Sequence, residues 1–180
     1  MALTPQIALF RAVNVGGRKA TSAELKALAE DLRLEDARTL LQTGNLVFHG
    51  ARTGAELEAE IEQAFVARFG YASDAMARTD AQWRAALTAN PHVEMAERDP
   101  GHLIVMALKC APDPEAVTAL QAAMHGRETV AAVGRELFIA YPDGIGASKL
   151  TGALIERRLG VRGTARNWNT ATKLAAMLED

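Results

Sequence analysis

The two halves of the chain repeat one order of predicted elements, and this repeat restricts the possible folds more than any other feature. Residues 1–90 have the pattern of a strand, a helix, a hairpin, a second helix and a strand, followed by a short helix. Residues 102–180 repeat the order at a spacing of roughly 90 to 95 residues, without residue-by-residue identity. The repeat predicts an α+β fold in which two ferredoxin-like β-α-β-β-α-β units pack together.

Local signals place the first elements. An apolar run over residues 7–13 predicts a buried strand. Thr21 and Glu24 have the spacing of a capping box, in which each residue satisfies a backbone amide of the other, and they predict a helix over residues 22–32. The first unit therefore begins with a strand, a glycine-containing turn and a helix.

The rest of the first unit contains a hairpin and a longer helix. Residues 43–45, Thr-Gly-Asn, separate two strand-like runs and are typical of a hairpin turn. Apolar residues spaced four apart predict a helix over residues 54–69. Glutamates lie between them, and we expect these, including Glu58 and Glu62, to form a solvated face without an acid/base role.

Residues 91–101 separate the two predicted units. This segment has two prolines, a terminal glycine and no helical stripe, so it is predicted to be a linker. We therefore predict a first unit over residues 1–90 and a second unit, with a C-terminal helix, over residues 102–180. In the second unit, Asp113 and Pro114 predict a helix start, and a further helix is expected near residues 148–159.

Both predicted central strands are apolar on both sides, as in sheets that are covered on two faces. A lone ferredoxin-like unit covers one face with helices. We therefore expect the units to pack on each other, or the protein to form a homodimer through a sheet face. The core is adequate but lean, because 36 of the 180 residues are alanine.

Composition also limits the partners and the compartment. The net charge of −2 argues against a general nucleic-acid-binding surface. Cys110 is the single cysteine, is expected to be a small buried residue, and allows no intramolecular disulfide. Since neither a leader pattern nor a long apolar window is present, we expect a cytoplasmic protein with no membrane partner.

The first candidate site follows the first predicted strand. Arg11 interrupts an apolar context, and Asn14, Gly16 and Gly17 lie between it and the first helix. A strand, a glycine turn and a helix N-terminus form a plausible anion cradle, although no Walker A or dinucleotide-binding motif is present. The alternative is an ordinary turn in which a glycine supplies positive φ and the basic residues 18–19 lie in solvent.

The second candidate site lies near the C-terminus. Residues 144–173 have a net charge of +5, and within them Arg166, Asn167, Trp168 and Asn169 combine a guanidinium, two amides and an indole. Such a set can bind phosphate or stack on a base. The alternative is that Trp168 is a core residue, Asn169 caps the last helix and Arg166 pairs with a carboxylate.

Neither a metal nor another cofactor is expected. The four histidines have no spacing typical of a metal site, and no nucleophile elbow is present.

Three motifs resemble those of a bacterial family called domain of unknown function 1697: R-A-V-N-V-G-G at 11–17, Q-T-G-N at 42–45 and T-A-R-N-W-N-T at 164–170. The resemblance spans nearly the whole chain, with Ala12 and Thr43 as small departures. It implies a small cytosolic protein with two ferredoxin-like units, and it supplies no activity. Its signature positions correspond to the candidate site residues, which are Arg11, Asn14, Gly16, Gly17, Gly44, Asn45, Arg166, Asn167 and Trp168.

The leading hypothesis is that both candidate sites converge on one polar cleft that binds an anionic ligand, a nucleotide or an RNA phosphate. A rival is a phosphate-handling hydrolase or transferase in which Arg11 and Asn45 stabilise an oxyanion. A second rival is a protein interaction or dimerisation module whose polar motifs are only turns and caps.

Overall fold

The structure, a computed structural model, describes residues 2–42 and 44–179. Its elements in chain order are β1 (Thr4–Phe10), α1 (Ser22–Asp31), β2 (Glu35–Thr39), β3 (Asn45–Gly50), α2 (Gly54–Phe69), β4 (Ala75–Thr79), α3 (Asp80–Thr88), α4 (Val93–Arg98), a 3-10 helix (Pro100–His102), β5 (Leu103–Leu108), α5 (Pro114–Ala122), β6 (Thr129–Val133), β7 (Glu136–Ala140), α6 (Gly152–Leu159), β8 (Gly163–Asn167) and α7 (Trp168–Met177). Two compact units result. The first contains the described residues up to Arg84 and those from Leu174 onward, and the second is Ala85–Lys173.

The first unit contains a four-stranded antiparallel sheet in the order β2-β3-β1-β4. Helices α1 and α2 pack on one face of this sheet, where Phe10, Phe48 and Phe65 form part of a buried core. On the central strand, Ile7 and Leu9 are also fully buried. The element order and the antiparallel sheet confirm the predicted ferredoxin-like unit.

The second unit has the same topology, with strand order β6-β7-β5-β8 and all neighbours antiparallel. Its core is mainly aliphatic and includes Met106, Leu137 and Ile155. The registers of the two sheets also correspond: Ile7 lies opposite Arg78 in β4, and Val105 lies opposite Arg166 in β8. The predicted repeat of element order is therefore confirmed, and Arg166 occupies the position that Arg78 has in the first unit.

Side-chain caps explain where several helices begin. The Thr21 and Glu24 capping box is present at the start of α1, and Asp113 accepts a hydrogen bond at the start of α5, with Pro114 at its first position. Both predictions are confirmed. Helix α6 begins at Gly152, later than the predicted residue 148, because the Thr151 hydroxyl accepts the amide of Leu154 and sets the N-terminus there.

Strand β1 covers Thr4–Phe10, so the prediction of a strand over residues 7–13 is wrong at both ends. Positive φ values of 56° at Ala12 and 59° at Asn14 turn the chain away from the sheet. The prediction that Cys110 is a small buried residue is also wrong. Strand β5 ends at Leu108, and the cysteine is exposed in the loop that follows.

The segment predicted as a linker, residues 91–101, is folded for most of its length. It contains α4 and the beginning of the 3-10 helix, and no residue of α4 is buried. This absence of a buried side explains why no apolar stripe predicts α4.

The expectation that Glu58 and Glu62 lie on a solvated face is wrong. Oε1 of Glu62 accepts the amide of Ala75 at 2.9 Å, and Oε1 of Glu58 accepts the amide of Ala77 at the same distance. Strand β4 is at the edge of its sheet, so its outward amides have no strand partner and these carboxylates supply the acceptors. Glu58 is 2% exposed and lies 3.6 Å from Nη1 of Arg78.

Among the described residues, no helix combines the length and the apolar character that crossing a membrane requires.

Candidate functional site

The loop between β1 and α1, residues 11–20, carries the first candidate site. Its beginning is held against the segment before β4, because the amide of Arg11 donates to the carbonyl of Asp74 at 2.9 Å. The Ser73 hydroxyl donates to the Arg11 carbonyl at 2.8 Å. The backbone of Arg11 is thus fixed, and its side chain is half-buried.

Positive φ angles recur at every second residue in the first part of this loop. Ala12, Asn14 and Gly16 have φ values of 56°, 59° and 61°, whereas Val13 and Val15 are not among the residues with positive φ. Gly17 follows at 82°. Residues in the left-handed region occur in backbone concavities that bind anions, where they help to turn neighbouring amides toward one side of the chain. Such residues are strained unless they are glycine, and this strain is typical of functional loops.

Asn14 holds the loop in this shape. Its side-chain oxygen accepts the amide of Ala20 at 2.8 Å, and its Nδ2 donates to the carbonyls of Ala20 at 3.3 Å and Gln42 at 2.6 Å. The loop is thereby closed on itself and tied to the turn between β2 and β3. Asn14 is therefore a positioning residue, whose amide is already engaged within the protein.

Gly44 and Asn45 bring the β2–β3 turn against this loop. A Cβ on Gly44, whose φ is 74°, would lie 2.5 Å from Cγ2 of Val13. Its carbonyl accepts the amide of Phe10 at 2.9 Å. Asn45 is fully buried and donates from Nδ2 to the carbonyl of Leu40 at 2.8 Å, so this amide stabilises the turn rather than facing a substrate. Thr43, part of the predicted turn, lies outside the described residues.

Two basic residues complete the loop. Arg18 and Lys19 are both exposed. The guanidinium carbon of Arg18 lies 5.3 Å from the centroid of the Tyr71 ring, which is a cation–π contact. Burial raises the pKa of the Tyr71 phenol, and the charge of Arg18 opposes that shift. Neither cation is among the predicted site residues, although two adjacent basic residues shortly before a helix N-cap are a sequence signal for an anion site.

The loop and the N-terminus of α1 border a cavity of about 550 Å³ that is open to solvent, since most of its lining residues are exposed. Its lining residues are Asn14, Gly17, Arg18, Lys19, Ala20, Thr21, Ser22, Ala23 and Gln42. The capping box uses the amides of Thr21 and Glu24 as donors, and it does not use those of Ser22 and Ala23. Hydrogen bonds from the Thr21 backbone and then its side chain lower the pKa of Glu24, so that carboxylate remains charged near the cavity.

The second candidate site lies in the other unit, where β8 leads into α7. Arg166 is 9% exposed, and its Nη1 donates to Oγ1 of Thr164 at 2.7 Å and to the carbonyl of Ala165 at 2.8 Å. Burial lowers the pKa of the Arg166 guanidinium to about 10, so it remains charged at neutral pH. Trp168, the first residue of α7, is half-buried.

Asn167, and not Asn169, caps α7. Its Oδ1 accepts the amide of Thr170 at 2.9 Å, whereas Asn169 is exposed inside the first turn of the helix. The cap is shifted because β8 passes directly into α7, which begins at Trp168. The alternative in which Asn169 caps the last helix is therefore wrong.

The structure thus places Arg11, Asn14, Gly16, Gly17, Gly44 and Asn45 around two adjoining loops of the first unit. Arg166, Asn167 and Trp168 belong to the second unit, and a shared cleft of the two sets stays a prediction. Within residues 2–42 and 44–179, no group of three or more histidine, cysteine, aspartate or glutamate side chains is arranged to hold a metal ion.

Comparison with known proteins shows which family the chain belongs to. The sequence profile of a family described as "Protein of unknown function (DUF1697)" matches residues 3–138. The chain belongs to this family. Among solved structures, this DUF1697 protein is similar to the conserved bacterial protein SP0830 from Streptococcus pneumoniae, with 22% sequence identity and a TM-score of 0.80. The similarity covers 99% of this chain and 100% of the other, and it shows a shared fold. The search of curated proteins finds no match.

The matched range of this DUF1697 protein contains both loops of the first candidate site and ends before the motif at residues 164–170. The description of the family names no ligand and no reaction.

Proposed function

We propose that this DUF1697 protein binds a phosphate-bearing anion, such as a nucleotide or an RNA phosphate, in the cavity between the 11–20 loop and the N-terminus of α1. The observation that carries the proposal is the arrangement of this loop, which places two cations and the amide end of a helix around one cavity. Backbone amides at a helix N-terminus favour negative charge, and left-handed residues such as those of this loop occur in anion-binding concavities.

The shape of the loop is maintained by the protein alone. Asn14 makes three hydrogen bonds that hold the loop, and Gly44 permits the β2–β3 turn to approach it. A binding loop that is ordered before the ligand arrives loses little conformational entropy on binding. The strained residues Ala12 and Asn14 are therefore consistent with a loop shaped for a ligand.

The charges around the cavity favour a phosphate group over an uncharged ligand. Arg18 and Lys19 line the cavity and contribute two positive charges, opposed by one negative charge on the nearby Glu24. A guanidinium can donate two parallel hydrogen bonds to a phosphate, whereas an ammonium acts as a point charge. Arg18 is held over the Tyr71 ring, which orients it, and Lys19 is the adaptable second cation.

Arg11, Arg166 and Trp168 would add two further cations and a stacking surface in the larger cleft that the sequence suggests. Their contribution is separable from that of the loop cavity. Two variants test this contribution. Arg166→Lys keeps the positive charge and removes the guanidinium fork, and Trp168→Phe keeps an apolar ring and removes the indole.

Equilibrium binding of inorganic phosphate, a nucleoside triphosphate and a short single-stranded RNA tests the proposal. We expect Arg18→Ala and Lys19→Ala each to weaken phosphate binding several-fold, and the double variant to abolish it. Lys26→Ala is the matched control, because Lys26 is an exposed lysine of α1 that does not line the cavity. For RNA, removing one cation that binds a backbone phosphate should reduce the salt dependence of log K by about 0.7. Equal affinity in all of these proteins would contradict the proposal.

A further inference from the structure

The second unit contains a cavity of its own, of about 380 Å³, between its sheet, α6 and the loop of residues 141–151. The lining residues are Ile104, Met106, Ile139, Tyr141, Ile145, Ser148, Leu150, Thr151, Gly152, Ile155 and Ala165. None of them carries a charge. We propose that this cavity binds the aliphatic chain of an uncharged small molecule.

The hydroxyl groups on the cavity wall are already engaged within the protein. Tyr141 donates to the carbonyl of Leu150 at 2.8 Å, and Thr151 accepts the amide of Leu154 at 3.2 Å. Ser148 accepts the amide of Leu150 at 3.0 Å and donates to the carboxylate of Glu128. Most of the remaining wall side chains are apolar, and they favour hydrocarbon, which loses no hydrogen bonds to water when it is buried.

Comparison of the two units explains why the cavity exists. Glu62 of α2 accepts the first amide of β4, and Glu156 of α6 accepts the first amide of β8, so these glutamates occupy equivalent positions. When these glutamates are aligned, Leu57, which is fully buried in the first turn of α2, corresponds to Thr151, which precedes the first residue of α6. The first turn of α2 thus has no helical counterpart, and the loop of residues 141–151 lies there instead.

The size and the walls of the cavity favour a small molecule over a polypeptide. Its volume lies within the range of about 300–1,000 Å³ that is usual for small-ligand sites. Ile139 and Ile155 are each 1% exposed, whereas Ile145 is 42% exposed, so the cavity extends from solvent into the core. A polypeptide must find a partner for each backbone amide and carbonyl that it buries, whereas an aliphatic chain needs none.

A homologous series of straight-chain alcohols, from butan-1-ol to decan-1-ol, tests the proposal on the full-length chain. Binding is measured by ligand-observed NMR and by calorimetry. Each added methylene should raise the affinity about fourfold, because burial of one methylene contributes about 0.8 kcal/mol. The increase should stop at the length that fills the cavity.

Two variants test the location. Ala165→Leu fills the cavity from β8, and Ile145→Asp places a charge on its wall, so both should weaken octan-1-ol binding by about tenfold or more. Ala153→Leu in α6 and Val93→Asp in α4 are matched controls, since both residues are exposed and neither lines the cavity. These controls should bind octan-1-ol like the wild type.

Two results would overturn the proposal. One is the absence of saturable binding up to the solubility limit of the alcohols, and the other is equal affinity in all four variants. If sedimentation shows that Ile145→Asp dissociates a dimer while no alcohol binds, the occupant is a second copy of the chain and the proposal is likewise wrong. Phosphate binding to the first unit is a separate measurement, so its failure would not affect this result.

Discussion

The amide of Ala77 donates a 2.9 Å hydrogen bond to Oε1 of Glu58, a residue 19 positions earlier in the chain. The same oxygen lies 3.6 Å from the guanidinium of Arg78, and both charged side chains are almost fully buried. The Glu58 carboxylate therefore accepts one outward amide of the edge strand and also compensates a buried positive charge.

Replacing Glu58 should destabilise the first unit strongly. We expect Glu58→Ala to lower the free energy of unfolding by about 3 kcal/mol, because it removes one partner of a buried ion pair and the acceptor of an edge amide. Glu58→Gln keeps an acceptor and should cost about half as much. Urea unfolding measures both, with the exposed Glu56→Ala on the same helix as control. A similar loss in the control would show that helix charge, and not burial, is responsible.

Gly44→Ala should be among the more destabilising single-methyl substitutions in the chain. The added Cβ would lie 2.5 Å from Val13 on a backbone with a φ of 74°, so steric overlap adds to conformational strain. We expect a loss of about 2–4 kcal/mol in the free energy of unfolding. Gly134→Ala is the control, because its φ is 58° and nothing lies within 4 Å of its Cβ position; it should cost about 1 kcal/mol. Equal losses would mean that the contact with Val13 relaxes easily.

The stability of the protein should fall at high pH through Tyr141. Burial raises the pKa of this phenol from 10.0 to about 12, so the folded state favours its neutral form. The resulting stabilisation is complete below pH 10 and disappears as the pH rises toward 12, a loss on the order of 2–3 kcal/mol. Urea unfolding between pH 9 and 12 should show a smaller decline for Tyr141→Phe. Parallel declines in the two proteins would assign the effect to other groups.

The cap of α7 can be tested with two asparagines. Asn167→Ala removes the side chain that accepts the amide of Thr170 and should reduce the free energy of unfolding by about 1 kcal/mol. Asn169→Ala changes an exposed position inside the helix and should have an effect within about 0.5 kcal/mol. Thermal or urea unfolding distinguishes the two variants. A larger loss of stability for Asn169→Ala than for Asn167→Ala would show that Asn169 is the cap.

Glu24 should modulate the proposed phosphate site. Glu24→Gln retains a side-chain acceptor for the Thr21 amide while removing a negative charge near the cavity. We expect the affinity for inorganic phosphate to rise about two- to fivefold at low salt, and the gain to shrink as salt screens the charge. An unchanged affinity would indicate that phosphate does not bind near the N-terminus of α1.

Much of the fold could be predicted from local sequence patterns. The capping box of Thr21 and Glu24 and the Asp113–Pro114 start both act within one helical turn, so their residues lie next to each other in the sequence as well as in space. Hydrophobic period and turn residues likewise predicted the order of elements in both units. The loop residues of the candidate site were also found in this way, because arginine, asparagine and paired glycines stand out from their apolar surroundings.

Tertiary structure decided the roles of several of these residues. Glu58 has the sequence pattern of a surface glutamate, and only its contact with β4 makes it a buried acceptor. Asn14 and Asn45 are candidate ligand-binding residues by sequence, yet their amides bond to Gln42 and Leu40. Sequence periodicity shows which side of a helix or strand is apolar. The hydrogen-bond partner of a polar side chain, in contrast, depends on donors and acceptors that lie far away in the chain. The sequence by itself determined the order of the strands and of the helices that pack on the sheets, because their apolar faces leave a periodic pattern. The long-range hydrogen bonds, which leave no such pattern, determined which polar groups remain available for function.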